Sequence, residues 1–265
     1  MSRGHEHDQK ARATGWRSPV VGMVVYWLAL LLLTGFHVWD HAAWVHLDRS
    51  PMISNDSPMH LEAGARYYWW WKESPGIWFQ QSPGVYPPTL YMVATAFFEL
   101  FGVSSESFRL AQLPFTFLLV LGVGILAGRC YGRVAGIAAA AAATTFPQIW
   151  VQRTEGQMDF PLAGAAAMAF ALMPTPERPG RPILAFFGGL AMAFSLLTKQ
   201  AMLSLAGAAM GWMVLRASID IIRRIKGRRT RIGWGHLKDV AIYVGVGIGF
   251  SARWYVTSLA TSQCL

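Results

Sequence analysis

Residues 87–103 read Pro-Pro-Thr-Leu-Tyr-Met-Val-Ala-Thr-Ala-Phe-Phe-Glu-Leu-Phe-Gly-Val. The stretch is apolar enough to be counted as a membrane span, yet short and interrupted by Glu99. Its reading decides the fold, because every later segment changes side with it. Seven further apolar runs surround it, at about 19–39, 110–128, 134–151, 160–174, 183–198, 200–216 and 239–258. A helix needs about 20 residues to cross the hydrocarbon, so each run is a candidate.

The bulk composition agrees with a membrane setting. The chain of 265 residues is 54% hydrophobic and 14% charged, whereas a soluble domain carries about 25% charged residues. The apolar residues come in long runs rather than in alternation, which points to an all-α polytopic membrane protein. The net charge of +9 would suit nucleic acid, but the basic residues fall between apolar runs. Membrane topology accounts for that placement, and a nucleic-acid partner is set aside. Cys130 and Cys264 form neither a disulfide framework nor a metal spacing. The polar tail 1–18, which includes His5-Glu6-His7, reads as solvated and disordered.

Charge counting then settles the reading of 87–103. The tail, the turns 129–133 and 174–182, and the stretch 216–238 are the basic connections. If 87–103 spans, the very basic 216–238 connection falls outside. If it does not span, all four basic stretches share the cytoplasmic side. Sixteen Lys/Arg then face five acids inside, and seven face nine outside, of 23 and 14 in the whole chain. The positive-inside rule favours this second arrangement. It gives about seven transmembrane helices within 19–258, a cytoplasmic N-terminus and an outer C-terminal tail 259–265. The first outer loop, 40–109, then carries juxtamembrane helices near 58–72 and 87–103.

This arrangement places several polar groups on one face. Asp56 lies in Ser54-Asn55-Asp56-Ser57-Pro58-Met59-His60. Ser54 or Asn55 can cap a helix that starts near Pro58, since proline is tolerated in a first turn. Asp56 at that helix N-terminus is favoured in its ionised form and can act as a general base; the alternative is a plain capping acid. Trp69-Trp70-Trp71 suits an interfacial belt. Asp159, at the mouth of the run 160–174, can orient a donor, bind a metal or hold an arginine, or simply cap its helix. Lys199 lies between two apolar runs with almost no loop, where a cation needs an anionic partner such as a lipid phosphate. The alternative there is a snorkelling lysine. Arg109 and Arg253 are further outer cations for a phosphate; either can instead pair with an acid such as Glu106. Tyr86-Pro87-Pro88 enters the juxtamembrane helix in extended form. No phosphate-cradling glycine loop is present, and the glycines of 122–124 and 245–249 lie in apolar runs, where small residues serve helix packing.

Taken in order, Asp56, Tyr86-Pro87-Pro88, Arg109, Asp159, Lys199 and Arg253-Trp254-Tyr255 resemble the GT-C superfamily of integral-membrane glycosyltransferases. The closest likeness is to the dolichyl-phosphate-mannose protein mannosyltransferase and aminoarabinose transferase group. The resemblance covers about residues 19–258 and implies an inverting transfer of sugar from a polyprenyl-phosphate donor to an acceptor on the outer face. It implies Asp56 as catalytic base, Asp159 as second acid, Lys199, Arg109 and Arg253 on the donor phosphate, and His60, Tyr86 and Arg153 along the donor and acceptor groove. Many relatives carry Asp-Glu where this chain has Asp56-Ser57, so a divalent metal is less supported. The resemblance also implies a bacterial inner membrane, lipid partners, and a C-terminal half or partner subunit beyond Leu265. Two other readings stand beside the enzyme: a non-enzymatic or inactive module that binds polyprenyl lipid, and a transporter. The transporter fits less well, since no internal repeat is visible and the charges fall at segment ends.

Overall fold

The computed structural model describes residues 19–48, 50, 52, 56–75, 86–176, 179–226 and 233–262. The tail 1–18, the capping candidates Ser54 and Asn55, Cys264 and most of the basic 226–233 connection lie outside the described residues. Among those described there is no strand. The helices are α1 (Pro19–Leu47), α2 (Ser57–Glu73), α3 (Thr89–Phe101), α4 (Ser105–Leu110), α5 (Leu113–Tyr131), α6 (Arg133–Ala142), α7 (Pro147–Thr154), α8 (Asp159–Leu172), α9 (Pro182–Leu196), α10 (Met202–Ile225) and α11 (Trp234–Ser262).

Local chemistry sets many of these limits. Pro58, Pro114, Pro147 and Pro182 each sit in a first turn, where the missing N–H costs nothing and φ is already helical. Ser104 caps α4 by accepting the Ser107 N–H at 3.1 Å. Gly102 ends α3 and Gly132 separates α5 from α6, both at left-handed φ (79° and 94°) that a side chain resists.

Three helical stretches are long and apolar enough to cross a membrane alone: Val20–Leu47, Ser105–Tyr131 and Met202–Arg223. The pair α6 and α7 makes a fourth if counted as one broken span. The helices α8 and α9 are apolar but have only 14 and 15 residues, about 21–23 Å at 1.5 Å per residue. The helix α11 has 29 residues and carries Lys238, Asp239 and Arg253 towards its ends.

Cross-helix contacts fix the directions. Tyr26 on α1 donates to the Gly124 carbonyl on α5 at 2.9 Å, and His41 meets Thr116 at 2.7 Å, so α1 and α5 are antiparallel. The helices α5 and α8 run side by side in one sense: a Cβ on Gly122 would lie 2.6 Å from the Met168 nitrogen, and one on Gly164 would lie 2.5 Å from the Phe115 carbonyl oxygen. Tyr243 of α11 donates to Ala169 of α8 at 3.0 Å, and Tyr255 donates to Leu196 of α9 at 2.7 Å. One end of the bundle therefore gathers the basic turn 129–133, the turn 174–181 and Asp239. The opposite end gathers Asp40, Asp56, Tyr86, Arg109, Asp159 and Lys199.

The stretch 87–103 forms α3, 13 residues long, about 20 Å and well short of the roughly 30 Å hydrocarbon. The Thr89 N–H donates to the Leu197 carbonyl at 2.9 Å, which pins its start to the corner between α9 and α10. Its far end returns to the same end of the bundle through α4. Beside it, α2 buries His60, Ala63, Gly64 and Tyr67, a helical face of three- and four-residue steps, and leaves Trp69 and Trp71 exposed.

Two boundaries differ from the sequence reading. The helix α1 continues to Leu47, beyond the apolar run ending near 39, because its polar residues find partners: Asp40 pairs with Arg153, and His41 with Thr116. The run 134–151 is two helices bent by 55°. Pro147 removes a backbone donor there and cannot continue the preceding helix.

The α5–α8 contact is made backbone to backbone. Gly122→Val should therefore force the two helices apart and cost about 1–3 kcal/mol. Gly207→Ala, at a position with nothing within 4 Å, should be neutral. Thermal unfolding in detergent measures both, and equal melting temperatures would refute the contact.

Candidate functional site

The helix start that presents Asp56 does not use its carboxylate as a cap. Asp56 occupies the N-cap position of α2 in an α-like conformation and makes no capping hydrogen bond. It is exposed, while the next residue, Ser57, is fully buried and donates to Glu155 at 3.4 Å. That bond ties the start of α2 to the connection between α7 and α8.

One turn further, His60 is buried against two rings. Its Nδ1 shares a 3.1 Å hydrogen bond with the Tyr91 hydroxyl, and its ring meets Tyr86 edge-on at 5.3 Å between centroids. Burial holds the His60 pKa below the ordinary histidine value; the charges of Asp56 and Asp159 oppose that shift, and the charge of Lys199 adds to it. All three charges are therefore close enough to act on this one ring.

Lys199 closes the cluster. It sits in the short corner between α9 and α10, where the ends of two helices leave no room for a longer loop. Its ammonium donates to Asp159 Oδ1 at 2.5 Å and lies 5.9 Å from the centre of the Tyr86 ring. The pair is not sealed: the Lys199 and Asp159 side chains are 29% and 45% exposed. An arriving anion can compete for this lysine. Asp56, His60, Tyr86, Asp159 and Lys199 thus come together from four parts of the chain.

Arg153 and Arg109 are held elsewhere, against the end of α1. Arg153 donates to Asp40 at 2.8 Å with its own side chain 3% exposed. Arg109 is buried, donates to the Asp48 carbonyl at 3.3 Å and lies 5.4 Å from the Trp44 ring centre. Glu106, the acid offered to Arg109 by the sequence, instead faces His46 at 3.6 Å. Both arginines use part of their donor set to hold the protein together.

Arg253 lines a cavity of about 630 Å³ whose other walls are mainly apolar, including Pro88, Met92, Leu197, Phe250 and Trp254. Because Thr89 is bonded to Leu197, this cavity opens directly beside the Lys199 corner. The glycines Gly245 and Gly249 on its wall have nothing within 4 Å of where a Cβ would stand.

Sequence reasoning passed over Asp40 and Glu155, which anchor Arg153 and Ser57. The signal for Asp40 was its position three residues from His37 and four from Trp44 on one helical face. Among the described residues no group of three His, Cys, Asp or Glu is placed to hold a metal ion.

A family model described as dolichyl-phosphate-mannose-protein mannosyltransferase matches residues 85–227, just over half of the chain. The matched region takes in Tyr86, Arg109, Arg153, Asp159 and Lys199; Asp56 and His60 precede it and Arg253 follows it. Nothing among curated proteins or solved structures matches the chain.

The His60 environment gives a pH signature. The folded pKa lies below the unfolded value of 6.5. The unfolded chain therefore takes up the proton first as pH falls, and stability present above that value is lost below it. His60→Gln should flatten the fall in melting temperature from pH 6.5 downwards. An unchanged slope in nanodisc unfolding scans would contradict the assignment.

Proposed function

The chain belongs to the dolichyl-phosphate-mannose-protein mannosyltransferase family, an integral-membrane glycosyltransferase group of the GT-C superfamily, and from that premise we propose that it transfers a sugar from a polyprenyl-phosphate carrier to an acceptor on the outer face of the membrane. The observation that carries this reading is the juxtaposition of a competable Lys199–Asp159 pair, an exposed Asp56 carboxylate that caps no helix and a large apolar cavity with Arg253 in its wall.

In this reading the polyprenyl tail lies in the cavity between α3, α9 and α11, with its phosphate at the Lys199 corner. The acceptor hydroxyl or amine approaches Asp56, which takes its proton as the acceptor atom attacks the anomeric carbon. The bond from that carbon to the phosphate oxygen breaks, and its electron pair stays on the leaving phosphate. Lys199 and Arg253 stabilise the charge that develops there. Attack from the face opposite the phosphate inverts the anomeric configuration. Asp159 holds Lys199 in position before the donor arrives. Tyr86, whose ring lies beside both His60 and Lys199, borders the site. Arg109 and Arg153 act by position, holding α4 and α7 on α1. The same reading puts the basic end of the bundle in the cytoplasm, together with the N-terminus, as the charge distribution favours.

The test is turnover by the purified full chain in nanodiscs, beginning with polyprenyl-phosphate mannose as donor. Asp56→Asn should lower kcat about 10²–10⁴-fold, the usual weight of a general base. Lys199→Gln should lower it about 10²–10³-fold, as for loss of one group that stabilises developing charge. Full turnover by Asp56→Asn would refute the base. Donor binding without turnover of any polyprenyl-phosphate sugar would identify a lipid-binding module instead.

A further inference from the structure

At the opposite, basic end of the bundle is a second cavity, of about 160 Å³, between α1, α5, α8, α9 and α11. It is several times the roughly 30 Å³ that one water occupies in the liquid. Three charged side chains line it: Arg129, Arg181 and Asp239. Its remaining wall is largely apolar, and Trp27 and Leu184, both in that wall, are exposed on the outside of the bundle.

Asp239 is the informative residue. It is 2% exposed. Its Oδ2 accepts the Arg181 backbone N–H at 2.9 Å, which caps the start of α9 from a different helix. Its Oδ1 is buried and has no hydrogen-bond partner among the described residues. A buried carboxylate oxygen without a donor is costly, so a group carrying N–H or O–H is called for in the cavity. Beside it, Arg129 donates to the carbonyls of Ala171 and Met173 and to the Thr175 hydroxyl, closing the C-terminal end of α8. Those bonds leave its positive charge intact. Arg181 lies at the exposed rim. Two cations and one donor-seeking anion face the same small space, and that space borders the lipid-facing surface.

We propose that this cavity holds the headgroup of an aminophospholipid, with its phosphodiester against Arg129 and Arg181 and its primary ammonium donating to Asp239 Oδ1. A phosphodiester alone satisfies the arginines but sets a second negative charge near Asp239. A quaternary ammonium supplies the positive charge but no N–H. The primary ammonium supplies both. The proposal is independent of the sugar-transfer reading, since it uses no residue of the Lys199 cluster and its test does not depend on turnover.

The experiment is native mass spectrometry of the full chain released from nanodiscs containing equal amounts of phosphatidylethanolamine, phosphatidylcholine and phosphatidylglycerol. Phosphatidylethanolamine should be retained about tenfold over phosphatidylcholine, the worth of roughly one charged hydrogen bond. Stepwise N-methylated lipids should keep the preference until the last N–H is lost. Asp239→Asn, whose amide oxygen can still accept from Arg181, should abolish the discrimination between the two zwitterionic lipids. Arg181→Gln should weaken retention of both. Equal retention by the wild-type chain, a preference for phosphatidylglycerol, or an unchanged preference in Asp239→Asn would each overturn the proposal. The methylation series needs no variant, so a failure of Asp239→Asn to fold leaves the test intact.

Discussion

A charge in hydrocarbon has no water to fall back on, and that constraint shapes where the long apolar helices carry their described ionic groups. The helices carry their ions at their ends, and the ends meet in two groups. Two ionic side chains drawn inward are held by at least one bond: Arg153 donates to Asp40, and Asp239 accepts a backbone N–H at the start of α9. The candidate site follows from the same rule. Lys199 stands at a corner too short to carry it away from the bundle, so Asp159 neutralises it while both remain reachable from solvent. The pair is a structural solution that stays open to solvent.

Rigidity is distributed unevenly around that site. Glycines let α5 lie on α8, and α9 on α11, at distances that no Cβ would permit. These contacts give the bundle a frame fixed by backbone rather than by side-chain choice. The helix α2 instead attaches through aromatic rings, with Tyr67 and Tyr68 packed against Tyr91 and Phe98 of α3. Lys72 joins Glu99 at the far end of that pair at 2.6 Å. Asp56 therefore belongs to a layer laid on the frame, while Asp159 and Lys199 belong to the frame itself.

The helical class was legible in the sequence, because it follows from the length of the apolar runs. Asp56, His60, Tyr86, Asp159 and Lys199 were legible as candidates through the order of the motifs, although each of the three charged residues also had a bland reading as a cap or a snorkelling side chain. What a linear reading missed was tertiary. The helix α1 outlasts its apolar run because Arg153, more than a hundred residues away, supplies a partner for Asp40. The break at Pro147 was visible, but hydropathy averaged over the run concealed it. Arg109 read as an outer cation of the same rank as Lys199; only the packing of Trp44 and the Asp48 carbonyl distinguishes the two.

The single bond from the Thr89 N–H to the Leu197 carbonyl carries one more implication, for assembly. A chain made from its N-terminus forward presents α3 long before α9 exists. Until the corner at 197–201 is in place, the first turn of α3 lacks its backbone partner, although α2 and α3 already pack on α4 and α5. The first turn of α3 must then lock late, although it is among the first parts to be synthesised. The cavity beside that turn closes later still, when α11 supplies its remaining wall.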